Sequence, residues 1–160
     1  MTLAELNALP APAAQIALLQ CCGSRRWVQR MTALRPFASA VDLLAAAEQV
    51  GRELTDADWL EAFAAHPRIG ENSTSAWSQV EQAAALRAAQ DMRARLAAAN
   101  AEYEQKFGFI FIVFASGKTP EQILERLQAR MRNSEEAEIR EAAAEQQKIT
   151  RARLQKLLEL

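Results

Sequence analysis

The only histidine of the chain, His66, stands directly before Pro67 in the stretch "AAHPRIGENSTSAWSQVEQ". Histidine is the side chain whose ordinary pKa lets it exchange a proton near neutral pH. Proline disfavours the α conformation in the residue before it, so the helix leading into this stretch must end at His66. There the negative end of the helix dipole favours the protonated ring by about 0.3–1 kcal/mol. The position suits a proton donor, but taken alone it is better explained by a histidine that only bonds a carbonyl of the last turn.

Two further residues have the type and phase for chemistry. Glu81 follows Ser78 at the spacing of a capping box, which alone would account for the pair. On a continuous helix, however, Glu81 shares a face with Ala85, Ala88, Met92, Ala99 and Tyr103, and an inward carboxylate requires a partner or a ligand. Near the C-terminus, Ile139, Ala142, Ala143, Gln146, Ile149 and Leu157 define an apolar arc that includes Arg153 and leaves Arg151 outside. Arg153 is therefore expected to point inward, as half of a buried Arg–Glu pair or as an anion-binding group. Gln146 shares the arc and can serve simply to satisfy a neighbouring backbone group.

Other chemistries lack their residues. Cys21 and Cys22 are adjacent, too close for an ordinary structural disulfide, and two thiols beside one imidazole have no zinc spacing. The step from His66 to Glu71 has no third ligand, and "RIGENS" lacks the glycines and lysine of a phosphate loop. Trp27, Trp59 and Trp77 are expected in the core. With 19 basic and 20 acidic residues interspersed along the chain, neither nucleic acid nor a membrane surface is an expected partner. The acidic start "MTLAELNALP" and the lack of any long apolar run predict a cytoplasmic protein.

The elements that must position these residues are helical. A chain of 160 residues, half of them hydrophobic, can build one core, and five glycines and five prolines fall mostly where helical patterns end. Thr2 with Glu5 opens a short helix, and "PAAQIALLQCCG" reads as a second with Gly23 as its stop signal. Ser24, Ser39 and Thr55 cap three more, a long alanine-rich pattern runs from Ser78 to about Lys106, Thr119 opens a seventh, and the last begins near Ser134. This predicts an all-α, single-domain bundle of about seven to nine helices over residues 1–160. One stretch, "KFGFIFIVFASG" (106–117), is β-branched and aromatic, with no second strand to pair with it. Either it is helical by tertiary override, or it is a buried extended segment whose amides need other partners.

Taken together, "HPRIGE" (66–71), "SQVEQ" (78–82), "NAEYEQKFGFIFIVFASG" (100–117), "RMRN" (130–133) and "EQQKITRARL" (145–154) resemble the 2-oxo-4-hydroxy-4-carboxy-5-ureidoimidazoline (OHCU) decarboxylases over essentially the whole chain. The resemblance implies an all-α homodimer that converts OHCU to (S)-allantoin in the last step of urate degradation, without cofactor or metal. It places the catalytic groups on His66, Glu81 and Arg153. Substrate contacts fall on Pro67, Ser78 and Gln82 and on the backbone of Phe111, Ile112, Val113, Phe114 and Ala115. Arg68, where animal members tend to carry an acid, and the "LLEL" terminus, which is no peroxisomal signal, fit a bacterial cytosol. No hydroxyisourate hydrolase domain is fused in this sequence, so that preceding step is expected from another chain. Two other readings stay open: a non-catalytic helical interaction module, and a lyase or hydrolase acting on a related ureide.

Overall fold

The computed structural model describes residues 1–66 and 82–159, apart from the side chains of 82–86. Its eight described helices are α1 (Leu3–Ala8), α2 (Ala11–Leu19), α3 (Arg25–Ala33), α4 (Ala40–Arg52), α5 (Asp56–Ala64), α6 (Gln82–Phe107), α7 (Pro120–Arg130) and α8 (Glu135–Leu157). Among the described residues there is no strand, as an all-α chain requires. None of the described helices is long and apolar enough to cross a membrane.

The starts follow from local side-chain chemistry. Thr2, Ser24, Ser39, Thr55, Thr119 and Ser134 each accept a backbone N–H of the first turn, and Thr2, Thr55 and Thr119 complete capping boxes with Glu5, Asp58 and Gln122. A cap of this kind stabilises its helix by about 1 kcal/mol. The helix before the histidine ends as the proline dictates: Ala65 is the C-cap of α5, and His66 N–H donates to Phe63 O at 3.1 Å.

Gly23 has a different role from the expected helix stop. α2 ends at Leu19, and the turn through Cys21 and Cys22 then brings Gly23 against the end of α5. A Cβ on Gly23 would lie 2.4 Å from Ala65 Cβ, so this close approach requires glycine. The α2–α3 turn thus packs directly beside the histidine.

α8 packs against α4 and α5. Its deepest residues are Glu138, Ala142, Gln146, Thr150 and Leu154, a strict every-fourth-residue ridge, with Glu145 buried beside it. Such a ridge winds across the helix surface rather than along it. By its C-terminal end the ridge has rotated away from Arg153, which is exposed along with Arg151. The inward arc expected for Arg153 therefore does not hold. In α6, Leu96, Asn100, Tyr103 and Phe107 are buried, with Met92 and Ala99 partly covered, while Ala88 is exposed. The apolar stripe thus does not run inward as far back as the sequence pattern suggested.

Residues 109–115 form the extended segment that the sequence left as one of two options, buried or half-buried as far as Phe114. Gly108, at φ +79°, ends α6 with its N–H donating to Glu104 O at 2.8 Å, a backbone turn that favours glycine. Beyond it Phe109 and Phe111 enter an aromatic cluster with Phe63, Tyr103 and Phe107, ring centroids 4.6–6.2 Å apart. Large aromatic area buried against α5 and α6 holds the segment in place of a neighbouring strand. Trp27 and Trp59 lie in the core as expected, and Trp77 lies outside the described residues.

Candidate active site

His66 stands at the end of α5 facing α8, half-buried. Its Nε2 lies 2.5 Å from Gln146 Oε1, and its Nδ1 lies 3.5 Å from Arg153 Nη2. Gln146 is fully buried, and its amide NH2 donates to Thr150 Oγ1 at 3.2 Å. Arg153 also donates through Nη1 to Gln20 O at 3.4 Å, which ties it to the turn after α2.

This setting reverses the charge preference expected of a helix-end histidine. Burial lowers the His66 pKa and the nearby Arg153 guanidinium lowers it further, while the Gln146 bond opposes them only in part. The ring is held toward its neutral form. Burial also pushes the neighbouring Cys21 thiol up to about 11, which keeps it protonated, and both cysteines are free thiols in the core.

The extended segment is tied to α7 and α8 by side chains. Arg130 Nη1 donates to Ile112 O at 2.6 Å, Glu145 Oε2 accepts Phe114 N–H at 2.7 Å, and Lys118 Nζ donates to Phe114 O at 2.7 Å. Of the amides in 111–115, that of Phe114 is therefore occupied by a carboxylate, contrary to the expectation that it would meet a ligand. Burial alone would raise the Glu145 pKa, but the Lys148 ammonium and the Phe114 amide hold it below the usual carboxylate value. Phe111, Ile112 and Val113 turn their side chains into the core, Phe114 is half-buried and Ala115 is exposed.

A buried ion pair does exist, at a different arginine from the one expected. Arg130 Nε lies 2.6 Å from Glu138 Oε1, the carboxylate also accepts Tyr103 O–H at 2.5 Å and Asn133 Nδ2–H at 2.9 Å, and the guanidinium covers the Phe111 ring at 4.4 Å. Arg130, Glu138, Tyr103 and Phe111 are all buried, and the cluster stands behind residues 111–112. Among the described residues no carboxylate pairs with Arg153, whose contacts are the histidine and a backbone carbonyl.

Of the expected site residues, the structure brings together His66 and Arg153. It also brings the 111–115 segment to the same helix, because consecutive residues of α8, Glu145 and Gln146, hold Phe114 and His66. Pro67, Ser78 and Glu81 lie outside the described residues, and so does the side chain of Gln82, the first residue of α6. Sequence reasoning missed Glu145, and it gave Gln146 and Arg130 no part in the site. The recurrence of polar residues at buried phases of one helix was the available signal.

Comparison with known proteins identifies the family. The chain matches the family described as OHCU decarboxylase over residues 7–155. It is 38% identical over 145 residues to the uric acid degradation bifunctional protein of Arabidopsis thaliana, covering 86% of this chain but only 45% of that protein. It is 30% identical over 162 residues to the 2-oxo-4-hydroxy-4-carboxy-5-ureidoimidazoline decarboxylase of Haloferax volcanii, covering 96% and 94% of the two chains. A solved structure of OHCU decarboxylase in the presence of (S)-allantoin superposes with a TM-score of 0.76 at 37% identity, covering 89% of this chain and 96% of the other. A family match over residues 7–155, with 30% identity across nearly the whole of both chains, places the assignment beyond fold alone: the chain belongs to the OHCU decarboxylase family.

Proposed function

We propose that this chain decarboxylates OHCU to (S)-allantoin and CO2, as the final step of urate degradation to allantoin. The observation that carries the reading is His66, half-buried at the end of α5 with the Arg153 guanidinium 3.5 Å from its Nδ1, a setting that lowers its pKa. A neutral imidazole beside a donor-only cation provides a proton acceptor next to an anion-binding group.

The substrate carries a hydroxyl and a carboxylate on C4, next to the C5=N bond. When the C4–carboxylate bond breaks, its electron pair forms C4=C5 while the imine electrons move to nitrogen, which takes a proton. The resulting enol loses its hydroxyl proton as C5 gains one, and the ring carbonyl of allantoin is formed. The ring itself accepts the electrons of the broken bond. The protein's tasks are to orient the substrate, exclude water and manage protons.

His66 exchanges the proton of the C4 hydroxyl, and Arg153 binds the carboxylate or the oxygen on which charge develops. Glu81 orients the histidine or the substrate, while Gln82 and Ser78 bond ureido and ring groups beside Pro67. The backbone of residues 111–113 and 115 contributes further polar contacts. Delivery of the C5 proton to one face yields a single enantiomer. The active form in this reading is a homodimer in the cytoplasm.

The test is to generate OHCU in situ from urate with urate oxidase and hydroxyisourate hydrolase, add the protein, and follow circular dichroism. Accelerated loss of the substrate signal with appearance of optically active allantoin is the expected result. Unchanged decay to racemic product would refute the reading.

A further inference from the structure

The contacts of His66 determine which of its two nitrogens carries the proton. A guanidinium has N–H groups only and cannot accept a hydrogen bond. Arg153 Nη2, 3.5 Å from Nδ1, therefore requires a lone pair on Nδ1. In the neutral ring the remaining proton then sits on Nε2, which must donate. Its neighbour at 2.5 Å is the side-chain amide of Gln146, which must present oxygen and turn its NH2 away. The NH2 finds the Thr150 hydroxyl, 3.2 Å along the same ridge of α8. All three partners are thus consistent with one proton arrangement.

We propose that Gln146, oriented by Thr150, is a positioning residue that locks His66 in the Nε2–H tautomer and so makes Nδ1 the proton-accepting atom in the reaction. The inference rests on the decarboxylase reading for the reaction itself. Gln146 is fully buried, and its contact with His66 lets it act through the ring. Two features make this more than a packing contact. A buried amide that bonds a histidine on one side and a hydroxyl on the other defines ring orientation as well as protonation. The nitrogen it leaves free is also the one beside Arg153, where an anionic substrate group would be drawn. A ring rotated by 180° about Cβ–Cγ would place carbon atoms against both Gln146 and Arg153, so the lock excludes the unproductive rotamer as well.

His66 is the only histidine of the chain, so a two-bond proton–nitrogen correlation spectrum of the uniformly labelled protein reports on this ring alone. On the free wild-type protein above neutral pH, Nε2 is expected at a pyrrole-type shift and Nδ1 at a pyridine-type shift, with one tautomer dominant. In Gln146→Met the two nitrogens are expected to move toward the averaged shifts of a solvent-exposed imidazole. In the same variant kcat should fall by at least about tenfold, as part of the ~10²–10⁴-fold that a positioned acid–base group contributes, with KM changed less. Thr150→Val, which keeps the Gln146 side chain but removes its orienting acceptor, is expected to shift the nitrogens in the same direction by a smaller amount. Gln146→Glu retains an acceptor for Nε2–H and should keep the tautomer.

An Nδ1–H tautomer in the wild type, or unchanged nitrogen shifts and kcat in a folded Gln146→Met protein, would overturn the proposal. The tautomer is read without substrate, so its result is independent of turnover. A locked ring in a protein that leaves OHCU decay unchanged would sustain the lock and refute the decarboxylase reading instead.

Discussion

Gln146 and Arg153, two turns apart on α8, hold opposite nitrogens of the same imidazole, one accepting from Nε2 and the other donating to Nδ1. Their electrostatic effects oppose each other: the amide oxygen favours a protonated ring and the guanidinium disfavours it. One helix thereby sets the geometry, the tautomer and the charge of the histidine at once.

Removing the cation should release the ring. In Arg153→Met the His66 pKa is expected to rise relative to wild type, measured by NMR titration of the single imidazole. Because Arg153 is exposed, the same variant should keep its melting temperature nearly unchanged while kcat/KM falls. A large loss of stability with intact kinetics would make Arg153 structural.

His66→Asn keeps a polar group of similar size at the end of α5. Its kcat on OHCU generated in situ is expected to drop by about 10²–10⁴-fold, the usual contribution of a positioned acid–base group. Near-wild-type turnover would remove His66 from the proton path.

The lowered pKa of His66 fixes the sign of the pH dependence. The unfolded chain, with an imidazole near 6.5, binds more protons than the folded one as pH falls through that value. The contribution to stability is therefore complete above pH 6.5 and is lost as pH drops through the folded pKa. Activity that needs the neutral ring should follow the same course, with the acid limb of kcat/KM displaced to lower pH than that of an ordinary imidazole. Rate and denaturant measurements across mildly acid pH would test both.

Gly23→Ala would force a methyl into the space of Ala65 Cβ. Overpacking of this kind costs roughly 1–3 kcal/mol, and here the strain falls on the residue before His66. Both melting temperature and kcat should drop, and the compensating double variant Gly23→Ala with Ala65→Gly should recover much of each. Failure of the second change to rescue would place the effect elsewhere.

Glu138→Gln leaves the Arg130 cation buried without its counter-charge. Breaking such a pair typically costs about 3–5 kcal/mol, so denaturant unfolding should show a loss of that order. Because Arg130 also holds Ile112 O, the variant is expected to lower activity even under conditions where it remains folded.

Much of this architecture was legible because its causes are local. Hydroxyl caps and a His-Pro break act within a few residues, and six of the described helices begin where Thr or Ser side chains predicted. The extended character of residues 109–115 was legible as one of two options from β-branched and aromatic composition. What the sequence did not reveal depends on contacts between distant elements. A fixed 100° projection placed Arg153 inside α8's buried arc, but the real contact line steps every four residues and rotates away from it. The charge of His66 was not legible for a related reason: a helix dipole is local, whereas desolvation and the Arg153 field depend on what packs around the ring. Glu145 and Arg130 drew no separate reading from the sequence, because their partners are backbone groups of a distant segment.

That segment has one more consequence. "FIFIVF" is aromatic, β-branched, uncharged and free of proline, the composition of sequences that pair with copies of themselves in stacked sheets. In the folded chain side chains from α7 and α8 take up backbone groups at Ile112 and Phe114, where a neighbouring strand would otherwise add. Arg130 and Glu145 therefore occupy backbone groups that a pairing strand would need, and unfolding of the helices around this stretch would free those groups for self-association.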